Sequence, residues 1–306
     1  MEVGFIGLGR MGKRMVLRLM SKNYEVISFD INKKQLSEVK SKGCKTTNSI
    51  KELVRSLKPR RTIIIMVPAE NVYSVIRELR PYLLKDDIVI DAGNSYYKDS
   101  IKHAKYLASK KVYFLDVGTS GGLKGAISGA SMTVGGDKKA YESAFHVLES
   151  LATENGLCYV GESGAGHFVK MVHNAIEYSI LQAYGEGFEL LKDAPYKFDL
   201  EKIAYNWNHG SIVQSKILKL TENIFKKYGN FKNIIGIIEG GQSGGWAIKE
   251  AKKRGLPLYM TRLALKLRHQ SYKKESFSSK FVAALRNEFG GHKLHFKNLK
   301  GKKCSE

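Results

Sequence analysis

Cysteine is scarce in this sequence: Cys44, Cys158 and Cys304 are the only three in 306 residues, odd in number, far apart and in no CxxC pairing. That count argues against a disulfide framework and against a zinc site, and no metal is expected. Long apolar runs are missing too. None reaches the ~18 residues of a membrane span, and the opening MEVGFIGLGR is too short and too glycine-rich for a signal peptide. A cytoplasmic protein with no membrane partner is expected. Acidic side chains are outnumbered, 29 Asp+Glu against 51 Lys+Arg, for a formal net charge of +22. Such a charge suits either nucleic acid or small anionic ligands. The sequence has no RNP aromatics, no zinc-finger spacing and no basic-region heptads, and its lysines are spread along the whole chain. A lysine-rich proteome would give the same spread, so the charge alone names no ligand, and no nucleic-acid partner is expected.

Proline is absent from Gly164 to Leu191, and apolar residues there recur at helical spacing (Phe168, Val172, Ile176, Ile180). The stretch reads as one helix entered through Gly164 and Gly166, with ~28 residues spanning roughly 42 Å. On it Lys170, His173, Asn174, Glu177 and Tyr178 fall at i, i+3, i+4, i+7 and i+8, which places them on one stripe. The plain alternative is a solvated face. The mixture of amine, imidazole, amide, carboxyl and phenol lacks the Glu/Lys alternation of such a face, and each group can carry a proton or a hydrogen bond.

The chain is long enough for two domains, and 43% hydrophobic content is enough for real cores. The boundary is placed before the long helix, giving 1–162 and 163–306. In the first part, Val3 to Ile6 runs straight into Gly7-Leu8-Gly9-Arg10-Met11-Gly12, which opens an apolar-periodic helix, and a second strand, Glu25 to Phe29, ends in Asp30. This context makes GxGxxG a dinucleotide fingerprint. Gly7 allows the tight turn, Gly9 lets the backbone approach a pyrophosphate at the helix N-terminus, and Gly12 permits close helix–strand packing. Asp30 is placed to accept hydrogen bonds from both ribose hydroxyls of an adenosine, so NAD is preferred and NADP, with Lys33 and Lys34 nearby, is possible.

Strands expected at Thr62–Val67, Asp87–Asp91, Val112–Asp116, Ser131–Val134 and Leu157–Val160 alternate with helices at about Asn71–Arg80, Lys98–Lys110 and Lys138–Leu151. That is the pattern of an α/β fold, a parallel, doubly wound Rossmann sheet whose ligands sit beyond the carboxyl ends of its strands. Those ends hold Val67-Pro68-Ala69, Asn94-Ser95 and Ser120-Gly121-Gly122. The last offers a hydroxyl and successive N–H groups that suit an anionic oxygen, although Asn, Ser and Gly are also ordinary turn residues. After the long helix the chain reads as all-α to the end. Helices are expected at Leu200–His209, Ile212–Tyr228, Trp246–Arg254 and Thr261–His269, then a basic loop, Ser271–Ser276, and a solvated, frayed tail, Lys293–Lys303.

The runs GLGRMG, DAGNS, GTSGG, GAGHFVKMVHNAIEY and RNEFGGH, in this order, resemble those of the 6-phosphogluconate dehydrogenases, and the length resembles their short, usually NAD-linked branch. The KMVHNxIEY run is the specific part. The N-terminal half alone equally resembles non-decarboxylating β-hydroxyacid dehydrogenases of the 3-hydroxyisobutyrate type. The resemblance implies oxidative decarboxylation of 6-phospho-D-gluconate to ribulose 5-phosphate, CO2 and reduced NAD. It implies Lys170 as general base and Glu177 as general acid, and Asn94, Ser120, Gly121, Gly122, His173 and Asn174 as holders of the carboxylate and hydroxyls. Tyr178, Arg268 and Arg286 would hold the phosphate, with His292 a further contact. Cofactor contacts would be Gly7, Leu8, Gly9, Arg10, Met11, Gly12, Asp30, Val67, Pro68, Ala69 and Asn94. Around Gly241-Gln242-Ser243-Gly244-Gly245-Trp246 the chain lacks the lysine that longer members carry for phosphate, and Leu123 stands where they have a carboxylate. A homodimer or dimer of dimers is implied, with Arg286 and His292 reaching into the partner's site.

Overall fold

Near-continuous apolar runs such as Thr62–Ile65 cannot be half solvated, and they become strands of a sheet covered on both faces. The computed structural model describes residues 1–297 and, as backbone only, 303–305. It divides into two compact units, Met1–Met171 and the chain from Val172 onward.

The first unit runs β1 (Glu2–Ile6), α1 (Gly12–Ser21), β2 (Glu25–Phe29), α2 (Lys33–Lys40), β3 (Lys45–Thr46), α3 (Ile50–Arg55), β4 (Thr62–Ile65), α4 (Ala69–Leu79), β5 (Ile88–Asp91), α5 (Tyr97–Ala108), β6 (Tyr113–Ser120), α6 (Gly122–Ser128), β7 (Ala130–Gly136), α7 (Lys138–Leu151) and β8 (Ala152–Gly161), then enters α8 (Ala165–Asp193). The eight strands lie in the order β3-β2-β1-β4-β5-β6-β7-β8. Val3, Phe5 and Ile64 meet Met15, Leu19 and Val147 on one face, while Ile6, Ile63 and Ile65 meet Val72, Ile76 and Leu107 on the other. Period-2 alternation thus fills both layers. The expected Rossmann sheet is present with one difference: β6 and β7 are antiparallel, registered Leu115 opposite Gly136 through Ser120 opposite Ser131. Only residues 121–129, which include the short α6, separate them, too few for a parallel crossover.

The second unit takes the remainder of α8, α9 (Leu200–Trp207), α10 (Lys216–Tyr228), β9 (Ile234–Ile235), α11 (Gln242–Lys253), α12 (Tyr259–Gln270), α13 (Phe277–Gly290), β10 (His295–Lys297) and β11 (Lys303–Ser305). Helix α13 is its centre. Phe281, Val282, Ala283, Ala284 and Leu285 are all buried, and Phe188 of α8 stacks on Phe281 with ring centroids 5.3 Å apart. The bare flank of Gly185 lets α13 close in: an added Cβ would stand 3.2 Å from the Ser278 carbonyl oxygen and from the Val282 side chain. Glu189 of α8 then accepts hydrogen bonds from the Phe277 and Ser278 amides at 3.0 and 3.2 Å, satisfying two of the donors that a helix start leaves open.

Two expectations change here. The helix expected from Ile212 begins at Lys216, where the Ser215 hydroxyl accepts from the Leu218 amide and ends the preceding turn. The tail is not frayed through Lys297, since Leu294 is buried and β10 pairs with β9, adding a small sheet to the helical unit; residues 298–302 of the expected tail lie outside the described residues. The long helix forms as expected, but its buried positions are Met171, Ala175, Leu181 and Phe188. Val169, Val172, Ile176 and Ile180 are 38–56% exposed in the single chain.

Candidate active site

The fingerprint loop is built by close approach. A Cβ on Gly7 (φ 98°) would stand 2.4 Å from the Met66 carbonyl oxygen and one on Gly12 only 2.0 Å from that of Gly7, whereas Gly9 has nothing within 4 Å. Two glycines are walled in and the third opens outward at the start of α1, which is the cradle a pyrophosphate requires. Met11 is the N-cap of α1 without a side-chain cap, Arg10 is exposed, and the Leu8 side chain is in the core. Asp30 does something the sequence did not announce. Its Oδ2 accepts from the Leu8 amide at 2.6 Å and its Oδ1 from the Asn32 amide at 2.7 Å, so it ties the glycine loop to the end of β2. A carboxylate has about four acceptor sites, so capacity for ribose hydroxyls remains.

The Val67 side chain lies against Gly7, and its carbonyl would stand 3.2 Å from a Cβ on Gly93, so Val67 fits between the two glycines. Pro68 and Ala69 follow as the exposed N-cap and first residue of α4. Beyond β5, the buried Asp91 accepts from the Gly93 amide at 3.0 Å and from the Ser95 hydroxyl at 2.6 Å. Ser95 thus braces the turn from inside, and Asn94 is the exposed member. The Thr119 hydroxyl donates to the Ala92 carbonyl at 3.1 Å, tying the end of β6 to that turn. Ser120 ends β6, and Gly121 (φ 133°) and Gly122 (φ 63°) turn directly into α6 with no side-chain cap, an arrangement open to an anionic oxygen.

Lys170 is half-buried on the second turn of α8, with its Cβ where a Cβ on Gly118 would stand 2.5 Å away. The rest of the stripe follows on the same helix. His173 Nδ1 is 3.2 Å from Asn174 Oδ1 and 4.0 Å from Glu177 Oε2, and Asn174 Nδ2 donates to the buried Ser243 hydroxyl at 3.2 Å. The solvated-face alternative fails for Asn174, Glu177 and Tyr178, which are partly buried.

In the second unit the guanidinium of Arg268, 3% exposed, lies over the Tyr178 ring at 3.7 Å, and its Nη1 is buried with no hydrogen-bond partner. Burial pushes its pKa down, against the pull of the Tyr178 oxygen. Arg286 is 8% exposed and donates through Nη1 to the Glu239 carbonyl at 2.6 Å. Burial first, then the positive charge of Arg268, lowers its pKa to about 10. Both remain cations at neutral pH, packed together against their mutual repulsion. Gly240, Gly241 and the first turn of α11 border this pair. A Cβ on Gly240 would be 3.6 Å from Arg286 Nη2, one on Gly241 3.7 Å from Arg268 Cδ, and one on Gly244 2.7 Å from the Tyr178 ring. Bare backbone, rather than the absent lysine, stands at this position. Nothing among the described residues forms a cluster fit for a metal ion.

Arg286, expected to serve a second copy of the chain, stands beside Arg268 within its own unit, on α13, the buried centre of that unit. The His292 ring folds back over Gly290 and meets Phe289 edge-on at 6.2 Å. Sequence reasoning gave no role to Ser243, Glu239 or Asp116.

Comparison with known proteins gives the same assignment for both units. Residues 2–162 match the NAD binding domain of 6-phosphogluconate dehydrogenase, and residues 166–276 match that enzyme's C-terminal domain. A Bacillus subtilis protein named for this enzyme, YqeC, is 41% identical over 95% of this chain and 98% of its own length. The NAD(+)-dependent, decarboxylating 6-phosphogluconate dehydrogenase of Haloferax volcanii is 38% identical over 96% and 98%. Among solved structures, the Plasmodium falciparum 6-phosphogluconate dehydrogenase, determined alone, with NADP+ and with 6-phosphogluconate, superposes with a TM-score of 0.81 at 27% identity, over 94% of this chain and 70% of its own. With two domain matches in sequence and near-full-length relatives, this chain belongs to the 6-phosphogluconate dehydrogenase family.

Proposed function

We propose that the chain oxidatively decarboxylates 6-phospho-D-gluconate to D-ribulose 5-phosphate and CO2, with NAD as the preferred oxidant. The observation that carries the substrate is the buried pair Arg268 and Arg286, one with an unpartnered N–H, beside Tyr178. Two desolvated guanidiniums packed side by side, one with an open N–H, suit a dianion, and a phosphate monoester supplies it with oxygens that match their forks.

The residues of the glycine loop fit a nicotinamide dinucleotide, with Gly7 to Gly12 at the pyrophosphate, Asp30 at the adenosine ribose and Val67, Pro68, Ala69 and Asn94 along the strand ends. When bound, that cofactor supplies an acceptor for the hydride at C3. Lys170 takes the proton of the 3-hydroxyl as general base. The resulting β-keto acid loses CO2, and its electrons pass to the 3-oxygen, to which protonated Lys170 donates. Glu177 then delivers a proton to the carbon that held the carboxylate, and return of the 3-oxygen's proton to Lys170 leaves the ketone product. Seven residues apart on α8, base and acid stand roughly 10 Å apart along the axis, room for a short sugar chain between their side chains. Asn94, Ser120, Gly121, Gly122, His173 and Asn174 hold the carboxylate and hydroxyls, and His292 remains a substrate contact of the closed site. The exposed row Val169, Val172, Ile176 and Ile180 suits burial against a second copy.

The test is direct. Purified protein with 6-phosphogluconate and NAD should yield NADH and CO2 in equal amounts, and gluconate in parallel should turn over far less well. NADH without CO2 would indicate a non-decarboxylating dehydrogenase and overturn the proposal.

A further inference from the structure

We propose that Asp116 is a positioning residue for Lys170: its buried carboxylate holds the start of α8 in the one phase that presents the lysine at the strand end. The inference rests on the reading of Lys170 as general base.

Asp116 lies in the middle of β6 with 0% exposure. Its Oδ1 accepts from the Gly164 amide at 2.6 Å and its Oδ2 from the His167 amide at 2.8 Å, so both oxygens serve the first turn of α8. A helix start is ordinarily capped by a residue just before it. Here the cap comes from a strand 48 positions earlier, and the helix is fixed to the sheet instead of merely ended. The negative charge at the helix start adds to the effect. From the other side, the Thr133 hydroxyl of β7 donates to the Gly166 carbonyl at 3.2 Å, and the His167 ring meets the Ser100 hydroxyl of α5 at 2.7 Å.

Two backbone contacts turn this anchor into a register. A Cβ on Gly166 would be 2.2 Å from the Asp116 carbonyl oxygen, and one on Gly118 would be 2.5 Å from Lys170 Cβ. Asp116 and Gly118 are i and i+2 on the strand, while Gly166 and Lys170 are i and i+4 on the helix, so each pair shares a face. The two steps are roughly equal in length, about 6.6 Å along the strand and about 6 Å along the helix. The carboxylate sets the rotation of α8 and the bare backbone of Gly118 sets its depth.

The experiment compares Asp116→Asn, Lys170→Met and the double variant, at concentrations fixed by titrating NAD-binding sites. Asn keeps the volume but turns an N–H toward a donor. If Asp116 acts through Lys170, kcat per site falls about ten- to a hundredfold, the effect of a small misplacement of a reacting group. KM for 6-phosphogluconate stays within about threefold, and the double variant is no slower than Lys170→Met alone. A merely structural cap would reduce the number of NAD-binding sites and leave kcat per site unchanged, and that result overturns the proposal. So does an equal fold loss in the Lys170→Met background. Wild-type turnover by Lys170→Met would remove the premise as well. Should Asp116→Asn not fold, Gly118→Ala presses a methyl on Lys170 Cβ and on the Gly166 carbonyl while keeping the Asp116 carboxylate; the same loss of kcat is expected, and an unchanged kcat overturns the register.

Discussion

Arg268 stacks its guanidinium on the ring of Tyr178 at 3.7 Å yet keeps Nη1 buried without a hydrogen-bond partner. The stacking fixes the orientation of the fork before any ligand arrives, and the open N–H is left for that ligand. Arg268→Lys loses both the stacking plane and the fork, so KM for 6-phosphogluconate should rise about 10- to 100-fold, the value of one or two charge-assisted hydrogen bonds. KM for gluconate should stay within about twofold. An equal rise for both substrates would place Arg268 elsewhere than at the phosphate.

Arg286 carries the reverse side of the same design. Its pKa is lowered to about 10 from 12.5. A folded-state pKa below the unfolded one means that the unfolded chain binds this proton more tightly, so the group destabilises the fold. The penalty is fully present below pH 10 and fades as pH rises toward 12.5. At neutral pH it is on the order of 3 kcal/mol. Arg286→Met should therefore raise the melting temperature of the ligand-free protein by a few degrees. It should also abolish most of the further rise that 6-phosphogluconate gives the wild type. A melting temperature lowered by the substitution would contradict the sign.

For Lys170→Met and Glu177→Gln, turnover should fall by about 10²–10⁴, with NAD binding and melting temperature retained. Activity within threefold of wild type in either variant would remove that residue from the acid–base pair.

The placement of Arg286 in its own chain predicts a failed complementation. When Lys170→Met and Arg286→Ala subunits are refolded together, each mixed dimer holds one site without its base and one without its arginine, and no activity should return. Recovery toward half of the wild-type rate in isolated mixed dimers would mean that Arg286 crosses between subunits.

Asp30 holds the Leu8 amide and is the residue proposed for the adenosine ribose. Asp30→Ala should narrow the preference for NAD over NADP, with Lys33 and Lys34 available to a 2'-phosphate, and also weaken both cofactors by releasing the glycine loop. Unaltered selectivity would separate Asp30 from the adenosine ribose.

Much of this was legible in the sequence because the deciding signals are local. The GLGRMG run after an apolar strand, the two strands at Glu25 and Thr62, helix Lys138–Leu151 and the unbroken helix after Gly164 each carry their own periodicity. Elements with little apolar content escaped. Helix α2 buries only Val39, and α6 begins in two glycines that read as a turn. The spacing of Val172, Ile176 and Ile180 marks the helix but not its buried face, which follows Met171, Ala175 and Leu181. The stripe from Lys170 to Tyr178 was readable from spacing, whereas its supports, Asp116, Ser243 and Glu239, come from distant strands and loops. No local pattern marks a carboxylate that caps a helix 48 residues on.

The burial of α13 sets an order of events as the chain is made. Domains fold largely as they emerge from the ribosome, the N-terminal one first. The sheet unit is complete by Met171, so the cofactor cradle can form while the rest is still being synthesised. The helical unit cannot close around Phe281 and Leu285 until residues near Gly290 are free, so Arg286 arrives last. Premature termination between Met171 and α13 would thus give a protein able to hold a dinucleotide and unable to gather the arginine pair. Such a fragment would sequester cofactor without turning over substrate.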